Sequence, residues 1–285
     1  MSENIHLHIG LGKLALGLVL GLLRPELRLV IAQRYSENWQ FMRNIDQVEL
    51  LNEADNVGYK HIAKVKRINK KNPITVRQIL ALLKDGSPVL ILYDEIDGLN
   101  VLNDILDKVC SITTSVGKKG EGDIVTWLKG IRPSPECIVY PFENTEDIYK
   151  IITEHNEEST HPITIRRTIP DRICPDHKIH TSGKKAAVKI KPEEYAHIVI
   201  QSSLKECNKI FIGCEENFKE GDTGKILVTQ SSEVYQYFHD KKRRLVNSIH
   251  YFLALLSYDS LLKKDIPVMD WENQYMPYLL SVVLN

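Results

Sequence analysis

Ile5-His6-Leu7-His8-Ile9-Gly10-Leu11-Gly12-Lys13-Leu14-Ala15 opens the chain with a short apolar run, a glycine turn and the start of a helix. Leu14, Leu18, Leu22 and Leu23 then recur at helical spacing until Arg24-Pro25, where proline stops the helix. A second apolar run over residues 27–32 supplies the next strand, so the spacing predicts a β-α-β unit of about 30 residues. Within it, Gly10 allows a tight turn, Gly12 lets an incoming group approach the backbone, and the small Ala15 lets helix pack on strand. That is the glycine pattern of dinucleotide sites, in which the helix start offers free N–H groups to phosphate. Residues 7–23 are too short for a bilayer, which takes about 20 apolar residues, and they carry His8, Lys13 and four glycines, so no membrane span is expected.

After the second strand an acidic residue is expected, to hold the adenosine ribose hydroxyls. This chain has Gln33-Arg34 instead. Arg34 suits a ribose 2′-phosphate, which favours NADP over NAD, but an arginine after a strand is as often solvated surface. The cofactor expectation is therefore NAD or NADP.

Composition bounds the function classes. The chain has 285 residues, with 37 basic and 37 acidic side chains for a formal net charge of +0, so nucleic acid is not an expected partner. Five scattered cysteines without C-x-x-C spacing indicate neither a disulfide framework nor a zinc ribbon, and point to a reduced, cytoplasmic setting with no metal.

Further along, Val89–Tyr93 reads as a buried strand, residues 99–109 as a helix, 111–117 as a strand ending in a glycine turn, 124–128 as a helix and 137–140 as a strand. The alternation implies a doubly wound, mostly parallel α/β sheet. In such sheets ligands gather at the carboxyl ends of strands, which singles out Ser115, Val116 and Gly117 and the Glu143-Asn144 pair. Glu143-Asn144 reads equally well as a helix cap. Residues 163–200 turn strand-like, and Lys184-Lys185 with Lys189 and Lys191 form a basic hairpin that reads as a solvated edge.

From Ser232 the pattern is helical, and three polar residues stand out in it. At about 100° per residue, Asn247 lies roughly 60° from His250 on the helical wheel and Lys242 roughly 80° from it on the other side, so all three can line one wall of a cleft. Each also has a plain reading as surface or satisfied core. Together they make chemical sense for an alcohol oxidation: a lysine with lowered pKa takes the hydroxyl proton, an amide steadies the oxygen and an imidazole orients the substrate.

These residues resemble one family, the polyol-specific long-chain dehydrogenases. Lys242-x-x-x-x-Asn247-x-x-His250 is similar to the family's K-x-x-x-x-N-x-x-H helix, and His8-Ile9-Gly10-Leu11-Gly12 to its H-F-G-x-G opening. Thr113-Thr114-Ser115-Val116-Gly117, Glu143-Asn144, Ile169-Pro170-Asp171-Arg172-Ile173 and Val188-Lys189-Ile190-Lys191-Pro192 resemble further family segments in the same order, nearest the mannitol-1-phosphate 5-dehydrogenase branch. The resemblance implies a Rossmann-type fold, Lys242 as general base, Asn247 with Asn144 as the oxyanion site, His250 on a substrate hydroxyl, and Asp171 and Arg172 at the substrate. It also implies a metal-independent reaction. Gly10, Gly12, Lys13, Ala15, Gln33, Arg34, Ser115, Val116 and Gly117 would meet the cofactor.

The chain departs from the family pattern at Lys13 and Leu16 of the glycine turn, at Gln33, and in its end at residue 285, ahead of the large helical domain that covers the substrate in family members. The expected organisation is a dinucleotide domain over residues 1–230 and a small, truncated all-helical part over 231–285. The apolar stretch 276–284 would suit a homodimer. The expected function is oxidoreduction between a secondary alcohol and a ketone on a small hydroxylated substrate such as a polyol or sugar phosphate. The alternative is a catalytically weak nucleotide-binding member acting as a sensor or assembly partner.

Overall fold

Parallel strands buried on both faces need apolar residues in unbroken runs, and β1 (Ile5–Ile9), β2 (Arg28–Arg34), β5 (Val89–Tyr93), β6 (Val109–Thr114) and β7 (Ile138–Pro141) have them. In the computed structural model these strands and β8 (Thr164–Ile165) line up in parallel in the order β5-β2-β1-β6-β7-β8. Counted along the chain this is the 3-2-1-4-5-6 order of the Rossmann-type doubly wound α/β fold. The structure describes residues 4–243 except 56–57, 69–73, 95, 144, 173, 194–195 and 218–223. The chain divides into two units, Met1–Ser231 and Ser232–Asn285. In the second unit the described part begins with a helix over Ser232–Lys241, while Asn247, His250 and the apolar stretch 276–284 lie outside the described residues.

Beyond β5 the first unit's sheet grows to ten strands by an addition the periodicity did not announce. β3 (Gln47–Asn52) and β4 (Tyr59–Ile68) pair antiparallel, and β4 lies parallel to β5. β11 (Lys185–Ile190) joins β3, and β10 (Lys178–Ser182) forms the outer edge with all five residues exposed. The hairpin thus makes the solvated edge through β10, while Lys185 and Lys189 stand on β11, which is paired on both sides. A second sheet of four strands, β13-β14-β12-β9, is built from β9 (Thr168–Asp171), β12 (His197–Gln201), β13 (Cys214–Glu215) and β14 (Lys225–Thr229). It packs through Ile198, Ile200 and Ile226 into the same core as the glycine-turn helix, while Ile5, Leu7 and Ile9 face a separate core on the other side of the main sheet.

Three expected elements differ in form. The segment expected as an α-helix over 99–109 is a 3-10 helix over Ile96–Lys108. Its buried Leu99, Leu102 and Ile105 recur every third residue, the spacing that eclipses in a three-residue turn and lines one face. The strand expected to run to Gly117 stops at Thr114, because Val116 and Gly117 give their N–H groups to the Glu143 carboxylate and Gly117 takes φ +69°. This leads into α3 (Lys118–Gly130), longer at both ends than its apolar stretch 124–128 suggests.

The first helix is wider than expected. It makes a π turn over Ala15–Val19 before α1 (Leu20–Leu22). A π turn takes carbonyls away from their usual i+4 donors, and here side chains supply the donors instead. Tyr59 Oη donates to the Leu16 carbonyl at 2.9 Å. The Gly17 carbonyl accepts from Asn52 Nδ2 at 3.0 Å and Arg172 Nη1 at 2.8 Å. Gly17 is needed there because a Cβ would collide with the Cys174 thiol.

Candidate functional site

Strand order reverses direction at β1, and at that point the carboxyl ends of β1, β2, β5 and β6 enclose a cleft of about 370 Å³. Its floor is the glycine turn. Gly10 takes φ +94°, a conformation open to glycine at little cost, and a Cβ there would lie 2.6 Å from the Ser115 carbonyl oxygen. At Gly12 a Cβ would meet nothing closer than that same oxygen, at 3.6 Å, so packing within the protein does not demand glycine there.

The turn is held from beneath by a polar ladder between β1 and β6, which pair with His6 opposite Ser111 and His8 opposite Thr113. A carbonyl can only accept, so His8 Nε2 carries the proton it donates to Gly10 O at 2.6 Å, and His8 Nδ1 accepts from the Thr113 hydroxyl at 2.7 Å. That hydroxyl accepts in turn from His6 Nε2 at 2.8 Å, and His6 Nδ1 accepts from Ser111 at 2.7 Å. Burial pushes both imidazoles down, His8 to about 4, so both stay neutral and their tautomers are locked. Ser115 Oγ adds a second hydrogen bond to Gly10 O at 3.1 Å.

The residues expected to meet a cofactor are distributed unequally around this floor. Gly10, Gly12, Gln33, Arg34, Ser115 and Val116 all line the cleft. Ala15 is fully buried behind it, as the helix–strand packing requires. Lys13, at the helix start, pairs with Asp176 at 2.5 Å. Gln33 turns back: its Oε1 accepts from the Leu11 N–H at 2.5 Å, and its Nε2 donates to the Arg34 carbonyl at 2.6 Å. Arg34 reaches Asp123 of α3, Nη1 to Oδ2, at 2.9 Å. Asp123 and Lys119, both lining the cleft, were not singled out by sequence. Their only chain signal is a place on the first turns of a helix, which surface residues share.

Glu143 is the most perturbed carboxyl beside the site. It is buried, and accepts from Val116 N–H at 2.8 Å, Gly117 N–H at 3.0 Å and the Thr114 hydroxyl at 3.0 Å. Burial raises its pKa to about 7, against the pull of those hydrogen bonds. The folded chain therefore keeps a proton that the unfolded chain loses near 4.5, the ordinary value. Glu143's own contribution to stability, up to about 3 kcal/mol, should fall as pH rises from about 4.5 to about 7, while the lowered pKa values of the buried His6 and His8 act with the opposite sign below about 6.5. Urea unfolding of the wild type and of Glu143→Gln at pH 5 and pH 7.5 checks this: the wild type's stability relative to the variant should fall between the two pH values, because the imidazole contributions cancel in that difference.

The expected substrate residues lie elsewhere. Asp171 sits in β9 opposite His197. Arg172 is buried, and besides Gly17 O it donates to Glu193 O through Nε at 3.0 Å and Nη2 at 2.5 Å. Neither lines the cleft. Lys242 follows the 232–241 helix in the second unit and is half-buried. Asn144 lies outside the described residues, as Asn247 and His250 do. A larger hollow of about 740 Å³ opens at the amino ends of β1 and β6, beside Asn4, Cys110 and Lys209, but open parallel sheets place ligands at the carboxyl ends. Among the described residues no group of three or more His, Cys, Asp or Glu side chains could hold a metal, and no helix is long and apolar enough to cross a membrane.

No protein-family model matches the chain, and no curated protein does. Among solved structures, octopine dehydrogenase with NADH and pyruvate is similar at 9% identity and a TM-score of 0.45, over 93% of this chain and 58% of that one. A PanE/ApbA family ketopantoate reductase from Ralstonia eutropha JMP134 shares 7% identity, with a TM-score of 0.42, over 80% of this chain and 57% of that one. Glycerol-3-phosphate dehydrogenase from Coxiella burnetii shares 9% identity, with a TM-score of 0.37, over 80% and 54%. The chain thus spans between 54% and 58% of the length of these structures.

Proposed function

We propose that the chain is an NAD(P)-dependent oxidoreductase that interconverts a secondary alcohol and a ketone on a polyol, a sugar phosphate or a related hydroxylated compound. The observation that carries the reading is the glycine turn at the strand-order reversal, where Gly12 has no packing reason to be glycine. A ligand that must approach the backbone is such a reason. The residues present fit a dinucleotide: the Gly10–Gly12 turn and helix start suit the pyrophosphate, with Lys119 along the same cleft as a cation. When bound, that group supplies or accepts the hydride.

The remaining chemistry falls to Lys242, Asn247, His250 and Asn144. Lys242 Nζ takes the hydroxyl proton during oxidation and returns it during reduction. The amides of Asn247 and Asn144 donate to the substrate oxygen while it carries partial charge, and His250 holds a neighbouring hydroxyl. The support for these roles is the spacing of Lys242, Asn247 and His250 and its likeness to the polyol dehydrogenase helix.

The test is to follow NADH and NADPH absorbance with a panel of ketoses, ketose phosphates and keto acids. Lys242→Ala should lower turnover by roughly 10²–10⁴-fold, the usual worth of a positioned acid–base group, with dinucleotide affinity retained. Tight dinucleotide binding with no turnover on the panel would assign the chain to sensing or assembly instead.

A further inference from the structure

We infer that Asp123 is the carboxylate that reads the adenosine ribose, so that the cleft selects a dinucleotide with a free 2′-hydroxyl over its 2′-phosphorylated form. The inference rests on the cleft being a dinucleotide site, as proposed above. A ribose diol needs an acceptor near the end of β2, and the residue standing there, Gln33, has both ends of its amide engaged within the protein, on Leu11 N–H and Arg34 O. The Gln33 Oε1 keeps one lone pair, enough for one hydroxyl, so a second acceptor for the diol has to come from another element.

Asp123 meets the need from across the cleft. It lies on α3, lines the cleft with Gln33, Arg34 and Tyr93, and reaches the end of β2 through the 2.9 Å contact of its Oδ2 with Arg34 Nη1. Its other oxygen, Oδ1, makes no hydrogen bond among the described residues, which leaves an acceptor open to the ribose hydroxyls. Arg34 thereby acts as a positioning residue. It orients the carboxylate, and its own charge is already answered.

A 2′-phosphate meets the opposite situation. To reach Arg34 it must settle beside a carboxylate already in contact with that guanidinium, and like charges within about 4–6 Å oppose each other. Both side chains are about half exposed, 55% for Arg34 and 44% for Asp123, so water softens the repulsion but the diol still loses its acceptor without Asp123.

Titration of the full chain with NADH and with NADPH at one fixed ionic strength, followed by nicotinamide fluorescence, tests the assignment. The wild type should bind NADH more tightly. Asp123→Asn should weaken NADH roughly tenfold or more, the size of a lost charged hydrogen bond, and leave NADPH equal or tighter. Arg34→Ala should weaken NADH more than NADPH. A wild type that prefers NADPH, an unchanged ratio in Asp123→Asn, or a selective loss of NADPH in Arg34→Ala would overturn the inference and leave the dinucleotide site standing. Failure of both nucleotides to bind would overturn the site itself.

Discussion

Gly10→Ala is expected to cost the first unit about 3–5 kcal/mol and to abolish dinucleotide binding. The residue takes φ +94°, where an L side chain costs about 1–3 kcal/mol. Its Cβ would also lie 2.6 Å from the Ser115 carbonyl oxygen and 2.8 Å from the Ser115 carbonyl carbon, backbone atoms that cannot swing aside. Ser115 is tied by its N–H to Ile9 O at 2.9 Å, so relief of the clash would pull β6 from β1. Overpacking of this kind adds about 1–3 kcal/mol. At about 2–4 °C per kcal/mol for a unit of this size, the melting temperature should fall on the order of 10 °C. Gly12→Ala is the control, because its Cβ has room at 3.6 Å. It should change stability by less than about 1 kcal/mol while weakening the dinucleotide, and calorimetry with nucleotide titration separates the two effects.

Arg172→Met should cost nearly as much, about 3–5 kcal/mol, without touching the cleft. The guanidinium is buried and serves two carbonyls, Gly17 O and Glu193 O. Hydrogen bonds to charged groups contribute about 1.5–3 kcal/mol each, and a carbonyl left buried without a donor costs about 1–3 kcal/mol. Arg172→Lys keeps the charge but loses the planar fork that spans both acceptors, so it should recover only part of the loss. The readout is the urea midpoint beside the KM of any active substrate. A role confined to substrate binding would raise KM and leave the midpoint alone.

The two variants mark different degrees of legibility. Gly10 could be read from the chain because a strand, a glycine and a helix follow each other within a dozen residues, and local periodicity reports local structure. Arg172 was readable as a residue of note, but its partner Gly17 lies 155 residues away and became an acceptor only because the helix widens into a π turn. Gln33 shows the same limit at shorter range. Its position after β2 is plain from the sequence, yet the direction of its amide, back onto Leu11, depends on how the turn presents its N–H.

By itself, the sequence determined that the chain begins with a β-α-β unit closed by a glycine turn and continues in the alternation of a parallel sheet. Both follow from side-chain patterns that repeat within one or two elements. Only the tertiary structure decided which groups meet at the carboxyl ends of those strands. Arg34 and Asp123 are 89 residues apart, and Glu143 reaches Gly117 across 26. Such contacts depend on strand order, on helix length and on which side chain reaches a buried donor first. Those are properties of the assembled sheet, and no spacing along the chain encodes them.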